Sequence, residues 1–120
     1  MKTIFVVDDN TANLVKADES LSDWYNVFTF ASAQAMLDFL HNVVPDLILL
    51  DIMMPAINGF EALKRLKSDK RHSEIPVIFL SSMNDAVTES RGFEMGAIDF
   101  IAKPFSGPVL LNRLNTHLQG

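Results

Sequence analysis

Residues 46–63 read DLILLDIMMPAINGFEAL, and the first ten of them decide the fold. Leu47, Ile48, Leu49 and Leu50 are four consecutive apolar residues with no polar alternation, the mark of a strand buried on both faces. Such strands belong to the interior of a parallel sheet with helices covering each side, whereas an antiparallel strand with one wet face would alternate. Asp51 stands directly off the end of this run. Asn58 and Gly59 would suggest a hairpin, but Phe60, Leu63 and Leu66 follow at helical spacing, so the pair is read as a turn into a helix.

The same strand-then-helix unit recurs on either side. TIFVV at 3–7, YNVFTF at 25–30, DLILL at 46–50, IPVIFL at 75–80 and the shorter IDFIA at 98–102 are strand candidates. Helical spacing fills the intervals at 11–22 (Leu14, Ala17, Leu21), 33–42 (Met36, Leu37, Leu40), 59–67 and 85–95 (Val87, Ser90, Phe93). A fifth helix follows at 107–118 (Val109, Leu110, Leu114, Leu118). Ser32 is placed to cap the second helix, and KSDKRHSE at 67–74 reads as a solvated loop. The expectation is an α/β fold, a doubly wound five-stranded parallel sheet with five helices, forming a single domain over 1–120 with no second domain. Trp24, just before the second strand, is expected to pack at the far end of the sheet.

Composition narrows the function classes. A chain of 120 residues, 48% hydrophobic, supports one core and has no room for a second. Its net charge of -5 disfavours a surface built to bind nucleic-acid phosphates or anionic lipid. The absence of cysteine excludes disulfides, thiolate metal sites and thiol nucleophiles, leaving oxygen and nitrogen chemistry. No apolar run approaches the ~20 residues of a membrane span, and MKTIFVVDDN turns acidic too early for a signal peptide, so a cytoplasmic domain is expected.

Open parallel sheets bind ligands beyond the carboxyl ends of their strands, where the winding reverses. In this chain those ends carry Asp8 and Asp9, Asp51, Ser81 and Ser82, and Lys103 with Pro104. Singly, each has an ordinary reading: helix caps for Asp8 and Asp9, a strand terminator for Asp51, a strand-end hydroxyl for Ser81 and a surface cation for Lys103. Four strand ends that supply residues suited to one reaction make a stronger case together. That reaction is phosphoryl transfer onto a carboxylate. Asp8 and Asp9 suit Mg²⁺, which takes hard oxygen ligands, and leave Asp51 as nucleophile. Lys103 and the Ser81 hydroxyl would meet the charge on the transferring group.

These residues, within FVVDDN (5–10), DLILLDIMMPAINGFEAL (46–63), IPVIFLSS (75–82) and GFEMGAIDFIAKPF (92–105), resemble the receiver domain of two-component response regulators from first strand to last helix. The resemblance implies a flavodoxin-like, CheY-like sheet of order 2-1-3-4-5. It implies that Asp51 accepts a phosphoryl group from the phosphohistidine of a histidine kinase or a histidine phosphotransfer protein. Mg²⁺, or Mn²⁺ in its place, would be held by Asp9 directly, by Asp8 largely through water, by Asp51 and by the backbone carbonyl of Met53. Ser81 would be the switch hydroxyl, Phe100 the switch aromatic and Lys103 a phosphoryl contact, with a cis Lys103–Pro104 peptide. Such a domain catalyses only its own phosphorylation and slow dephosphorylation. It signals through the face formed by the fourth helix, fifth strand and fifth helix, to an output domain, a partner protein or a second copy. The end SGPVLLNRLNTHL resembles receivers that belong to larger proteins.

Two features depart from the commonest family pattern. The switch aromatic is Phe100, without a tyrosine hydroxyl, so its inward and outward positions would be set by packing alone. Met53 and Met83, two residues beyond Asp51 and Ser81, stand where the family often has polar side chains. Either they merely shield the site, or a long-lived aspartyl phosphate follows from the lack of a group to align water. Among rivals, a haloacid-dehalogenase phosphatase would need a second acid where Met53 stands, and a dinucleotide-binding domain would need glycines where DDNTAN stands. A receiver fold that has lost phosphorylation need not keep Asp8, Asp9, Asp51, Ser81 and Lys103 together. His41, His72 and His117 lack metal-ligand spacing, and GFEMG is expected to turn the fourth helix toward the fifth strand.

Overall fold

The computed structural model describes residues 1–83 and 85–118. Five strands alternate with five helices: β1 (Thr3–Val7), α1 (Thr11–Leu21), β2 (Asn26–Phe30), α2 (Ala33–Phe39), β3 (Leu47–Asp51), α3 (Gly59–Ser68), β4 (Val77–Ser81), α4 (Ala86–Met95), β5 (Asp99–Ala102) and α5 (Gly107–Leu118). The sheet is parallel throughout, in the order β2-β1-β3-β4-β5.

Burial follows the apolar runs. Every residue of β3 and β4 is buried, and so is all of β1 after Thr3, because these three strands have neighbours on both edges and helices on both faces. Alternate side chains feed two separate cores. Phe5, Val7, Ile48, Leu50, Val77 and Phe79 point to one face, against Met36 of α2 and Phe60, Leu63 and Leu66 of α3. Ile4, Val6, Leu47, Leu49, Ile78 and Leu80 point to the other, against Leu14, Ala17 and Leu21 of α1 and Leu110 and Leu114 of α5.

Helix starts are set by side chains that accept the free N–H groups of the first turn. Asn10 Oδ1 takes Ala12 and Asn13 N–H at 2.9 and 3.3 Å, and Ser32 Oγ takes Ala35 N–H at 3.1 Å. Asn58 Oδ1 takes Glu61 N–H at 2.9 Å, and Asp85 Oδ1 takes Thr88 N–H at 2.8 Å. The capping role of Ser32 and the turn at Asn58 and Gly59 are thus as the sequence suggests. α4 ends at Gly96, whose φ of 109° turns the chain toward β5.

Differences from the expected boundaries have local causes. Asp51 is the last residue of β3, in register with Leu80, and does not lie beyond the strand. β4 begins at Val77, after Pro76, which has no N–H to give to a ladder. α2 stops at Phe39, with Leu40 as its buried cap. The stretch at 67–74 is not wholly solvated: α3 runs to Ser68, and His72 is buried with Nδ1 3.5 Å from Asp69 Oδ2. The expectation for Trp24 is overturned, since its side chain is 62% exposed. Its neighbour Tyr25 enters the core instead, and the Tyr25 hydroxyl donates to Asn115 Oδ1 on α5 at 2.6 Å.

Candidate functional site

From β1 the chain goes to β2 on one side, then returns to lay β3 on the other, so the winding reverses between β1 and β3. The crevice at their carboxyl ends is where such sheets hold ligands. Asp8 follows β1 immediately, and its N–H donates to Phe30 O of β2 at 3.1 Å. Asp51 ends β3, Ser81 ends β4, and Lys103 follows β5 with its N–H donating to Ser81 O at 2.9 Å.

Three of these side chains meet. Lys103 Nζ lies 3.2 Å from Asp8 Oδ2 and 3.0 Å from Asp51 Oδ1. Asp8 is wholly buried, and its carboxylate also accepts Asn10 N–H on Oδ1 at 2.9 Å and Asn13 Nδ2 on Oδ2 at 3.1 Å. Asp51 is 1% exposed and accepts Met53 N–H on Oδ1 at 3.3 Å. Asp9 faces solvent, yet Asp8, Asp9 and Asp51 each offer an oxygen within 4.8 Å of the others.

Burial pushes the Asp51 carboxyl up to about 6, and the negative charge of Asp8 pushes the same way, against the Lys103 hydrogen bond and charge and the Met53 N–H. For Lys103, burial works against the ammonium form, but its hydrogen bond and ion pair with Asp51, together with Asp8, win and raise its pKa. A cluster of hard oxygens in which buried Asp8 and Asp51 repel one another is chemically suited to a small divalent cation, so the residues fit Mg²⁺ or Mn²⁺.

The loop from 53 to 58 crosses this rim. Ala56 takes a φ of 65°, and Gly59 N–H donates to Ile52 O at 2.8 Å. Gly59 approaches the strand so closely that a Cβ there would lie 2.5 Å from Asp51 O and 2.7 Å from Ile52 Cα. Only glycine lets α3 begin at this distance from the residue that carries the Asp51 carboxylate.

Ser81 is 1% exposed, and its Oγ is engaged with its own loop, donating to Met83 O at 3.1 Å and accepting Met83 N–H at 2.8 Å. Phe100 is half-buried, its ring 5.4 Å from that of Phe79 and 5.2 Å from that of Phe93. The Lys103–Pro104 peptide is cis. Met53 and Met83 are 59% and 39% exposed. Among the described residues no histidine joins the acidic cluster. Sequence reasoning missed Asn10 and Asn13. The available signal was an asparagine in the first turn of a helix already capped by another.

Residues 4–115 match the family described as the response regulator receiver domain, and the chain belongs to that family. It is 38% identical over 117 residues to a probable cyclic di-GMP phosphodiesterase of Vibrio cholerae, covering 98% of this chain and 26% of that protein. It is 34% identical over 114 residues to the response regulator PleD of Caulobacter vibrioides, covering 94% of this chain and 25% of PleD. The chain therefore spans about a quarter of the length of these two curated relatives. Among solved structures, the chemotaxis protein CheY4 of Vibrio cholerae superposes with a TM-score of 0.93 at 27% identity, over 98% of this chain and 99% of that one. The BeF3-activated receiver domain of DrrB, a Thermotoga maritima protein, gives 0.90 at 32% identity, over 100% and 99%.

Proposed function

We propose that this receiver domain is the phosphoacceptor of a two-component response regulator, with Asp51 as the phosphorylated residue. The observation that carries the reading is the Lys103 ammonium shared between Asp8 and Asp51 at the reversal point of the sheet. In the reaction, an Asp51 carboxylate oxygen attacks the phosphorus of a phosphohistidine. A new O–P bond forms as the N–P bond breaks, and the imidazole nitrogen leaves with the electron pair. Asp8, Asp9, Asp51 and the Met53 carbonyl would hold Mg²⁺, which would supply positive charge for the phosphoryl oxygens. Lys103 swings from its carboxylates to one of those oxygens. Ser81 releases Met83 and donates its hydroxyl to another, and Phe100 moves inward behind it.

Val87, Phe93, Ile98 and Val109 are exposed on α4, just ahead of β5 and on α5, an apolar surface that suits an output domain, a partner or a second copy. The phosphoryl donor is a histidine kinase or histidine phosphotransfer protein, and the setting is the cytoplasm. Contact with nucleic acid or membrane is not direct, and the domain turns over no substrate besides its own phosphoryl group. Met53 and Met83 leave no polar side chain at their positions to align an attacking water, so the aspartyl phosphate is long-lived. Its decay, followed after donor removal, is expected to be slower than in chemotaxis-type regulators, and equally fast decay would refute that.

Intact mass after incubation with phosphoramidate tests the central claim. Wild type with Mg²⁺ is expected to gain one phosphoryl group. The gain is absent without Mg²⁺ and absent in Asp51→Asn. A folded wild type that binds Mg²⁺ yet gains nothing would make the domain a binding module instead.

A further inference from the structure

Resting on the reading that the Asp8, Asp9 and Asp51 cluster takes Mg²⁺, we infer that Asn13 is the positioning residue that fixes the Asp8 carboxylate while Lys103 exchanges partners. A carboxylate has about four lone-pair directions, and Asp8 has three of them filled. Asn10 N–H takes one on Oδ1 at 2.9 Å, while Asn13 Nδ2 at 3.1 Å and Lys103 Nζ at 3.2 Å share Oδ2. The two donors on Oδ2 differ in kind. Lys103 is charged, sits on a flexible stem and is already divided between Asp8 and Asp51. Any cation entering the cluster competes with it directly.

Asn13 is neutral, so it neither repels an incoming cation nor competes with it for charge. It is also held in place, because it lies in the first turn of α1, and α1 is anchored by Leu14, Ala17 and Leu21. Nor is Asn13 needed to cap that helix: the Asn10 side chain already accepts the N–H groups of Ala12 and Asn13. Its amide is thereby free for Asp8. When Lys103 leaves Asp8, Asn13 is the side-chain donor that remains among the described residues, and with Asn10 N–H it keeps the carboxylate from rotating. Hydrogen-bond partners of metal-binding side chains typically change affinity by about 10–100-fold when removed.

The test is a Mg²⁺ titration by calorimetry on wild type, Asn13→Ala, Asp8→Asn and the double variant, with circular dichroism as the check on folding. Alanine favours helix over asparagine, so Asn13→Ala should fold, and Asn13→Leu, which keeps the side-chain bulk, serves as a second variant. The expected result is that both Asn13 variants bind Mg²⁺ at least ten-fold more weakly than wild type, within the range for such partners. In the Asp8→Asn background the same replacement changes affinity less than two-fold, because the group it positions is gone. Unchanged affinity in the Asn13 variants overturns the inference, as does an equal loss in both backgrounds, which would make Asn13 merely structural. Wild type that binds no Mg²⁺ overturns the metal reading itself and this inference with it.

Discussion

Helices α1 and α4 are nearly the same length, 11 and 10 residues, yet they are attached to the sheet in different ways. α1 buries Leu14, Ala17 and Leu21, a full apolar stripe against one core. α4 buries Thr88 and Gly92, a small polar side chain and a residue with none, while Val87 and Phe93 are 80% and 48% exposed. Apart from Met95, which packs half-buried against the core at the end of the helix, what holds α4 is peripheral: the Asp85 cap, the Arg91 guanidinium 4.2 Å over the Phe60 ring, and the Phe100 ring seated against the Gly92 backbone. A helix can therefore be completely formed and still be weakly anchored. Hydrogen bonding along the backbone makes the helix, but apolar burial decides whether it can shift, and low-burial elements are the ones that move.

The largest expected effect is on the anchored side. Leu21→Ala removes a wholly buried side chain and should cost ~2–5 kcal/mol in denaturant melts, whereas Thr88→Ala on α4 should cost about 1 kcal/mol or less. Equal costs would break the contrast. Next comes Gly92→Ala, whose Cβ would fall 2.4 Å from Phe100 Cζ and 3.2 Å from Phe79 Cδ2. Overpacking of ~1–3 kcal/mol should outweigh the ~1 kcal/mol that alanine gains in helix propensity, and the Phe100 ring should change its NMR shifts. A more stable variant with Phe100 unmoved would mean that α4 slides away at little cost, weaker anchoring than described here.

A third effect arises at the junction between the two sides, where Asp51 titrates at about 6 in the folded chain against an ordinary value of ~4. The folded state holds that proton more tightly, so its stabilising contribution is complete below pH ~4 and is lost as pH rises through about 6. In metal-free melts, stability should decline across that window, and Mg²⁺ at ten times its dissociation constant should restore ~1.4 kcal/mol near pH 7.5 but little near pH 5. Melts that ignore Mg²⁺ at both pH values would contradict it. The smallest effect is that of Arg91→Ala, which removes a contact worth ~0.5–1 kcal/mol and should speed amide exchange in α4 while leaving α1 unchanged.

Much of this was legible in the chain. β1, β3 and β4 each carry an unbroken apolar run, polar only at the end residues Thr3, Asp51 and Ser81, because both their faces are covered, and that leaves a direct mark in sequence. Ser32 and Asn58 likewise announce helix starts, since capping is local chemistry. Trp24 was misread because adjacent aromatics point in opposite directions, and nothing in the order Trp24, Tyr25 says which one faces α5 until Asn115 supplies the partner for the Tyr25 hydroxyl. The grouping of Asp8, Asp51 and Lys103 could be inferred from strand ends, but the proton affinity of Asp51 depends on distances that residue types do not carry. The Asn13 contact with Asp8 joins a helix face to a strand end, and neither local propensity nor periodicity encodes it.

The close approach at Gly59 has a consequence for how this rim can diverge over generations. Met53 and Ala56 face outward, so replacements there alter the surface beside Asp51 without touching the strand beneath. At position 59 every alternative side chain begins with a carbon that would overlap the backbone of Asp51 and Ile52. Saturation mutagenesis of the loop should therefore return many tolerated residues at 53, mainly glycine, asparagine and alanine at 56, where φ is 65°, and a single one at 59. Descendants of this chain are free to change the surface beside Asp51, while the distance between α3 and the strand beneath Asp51 stays heritable and fixed.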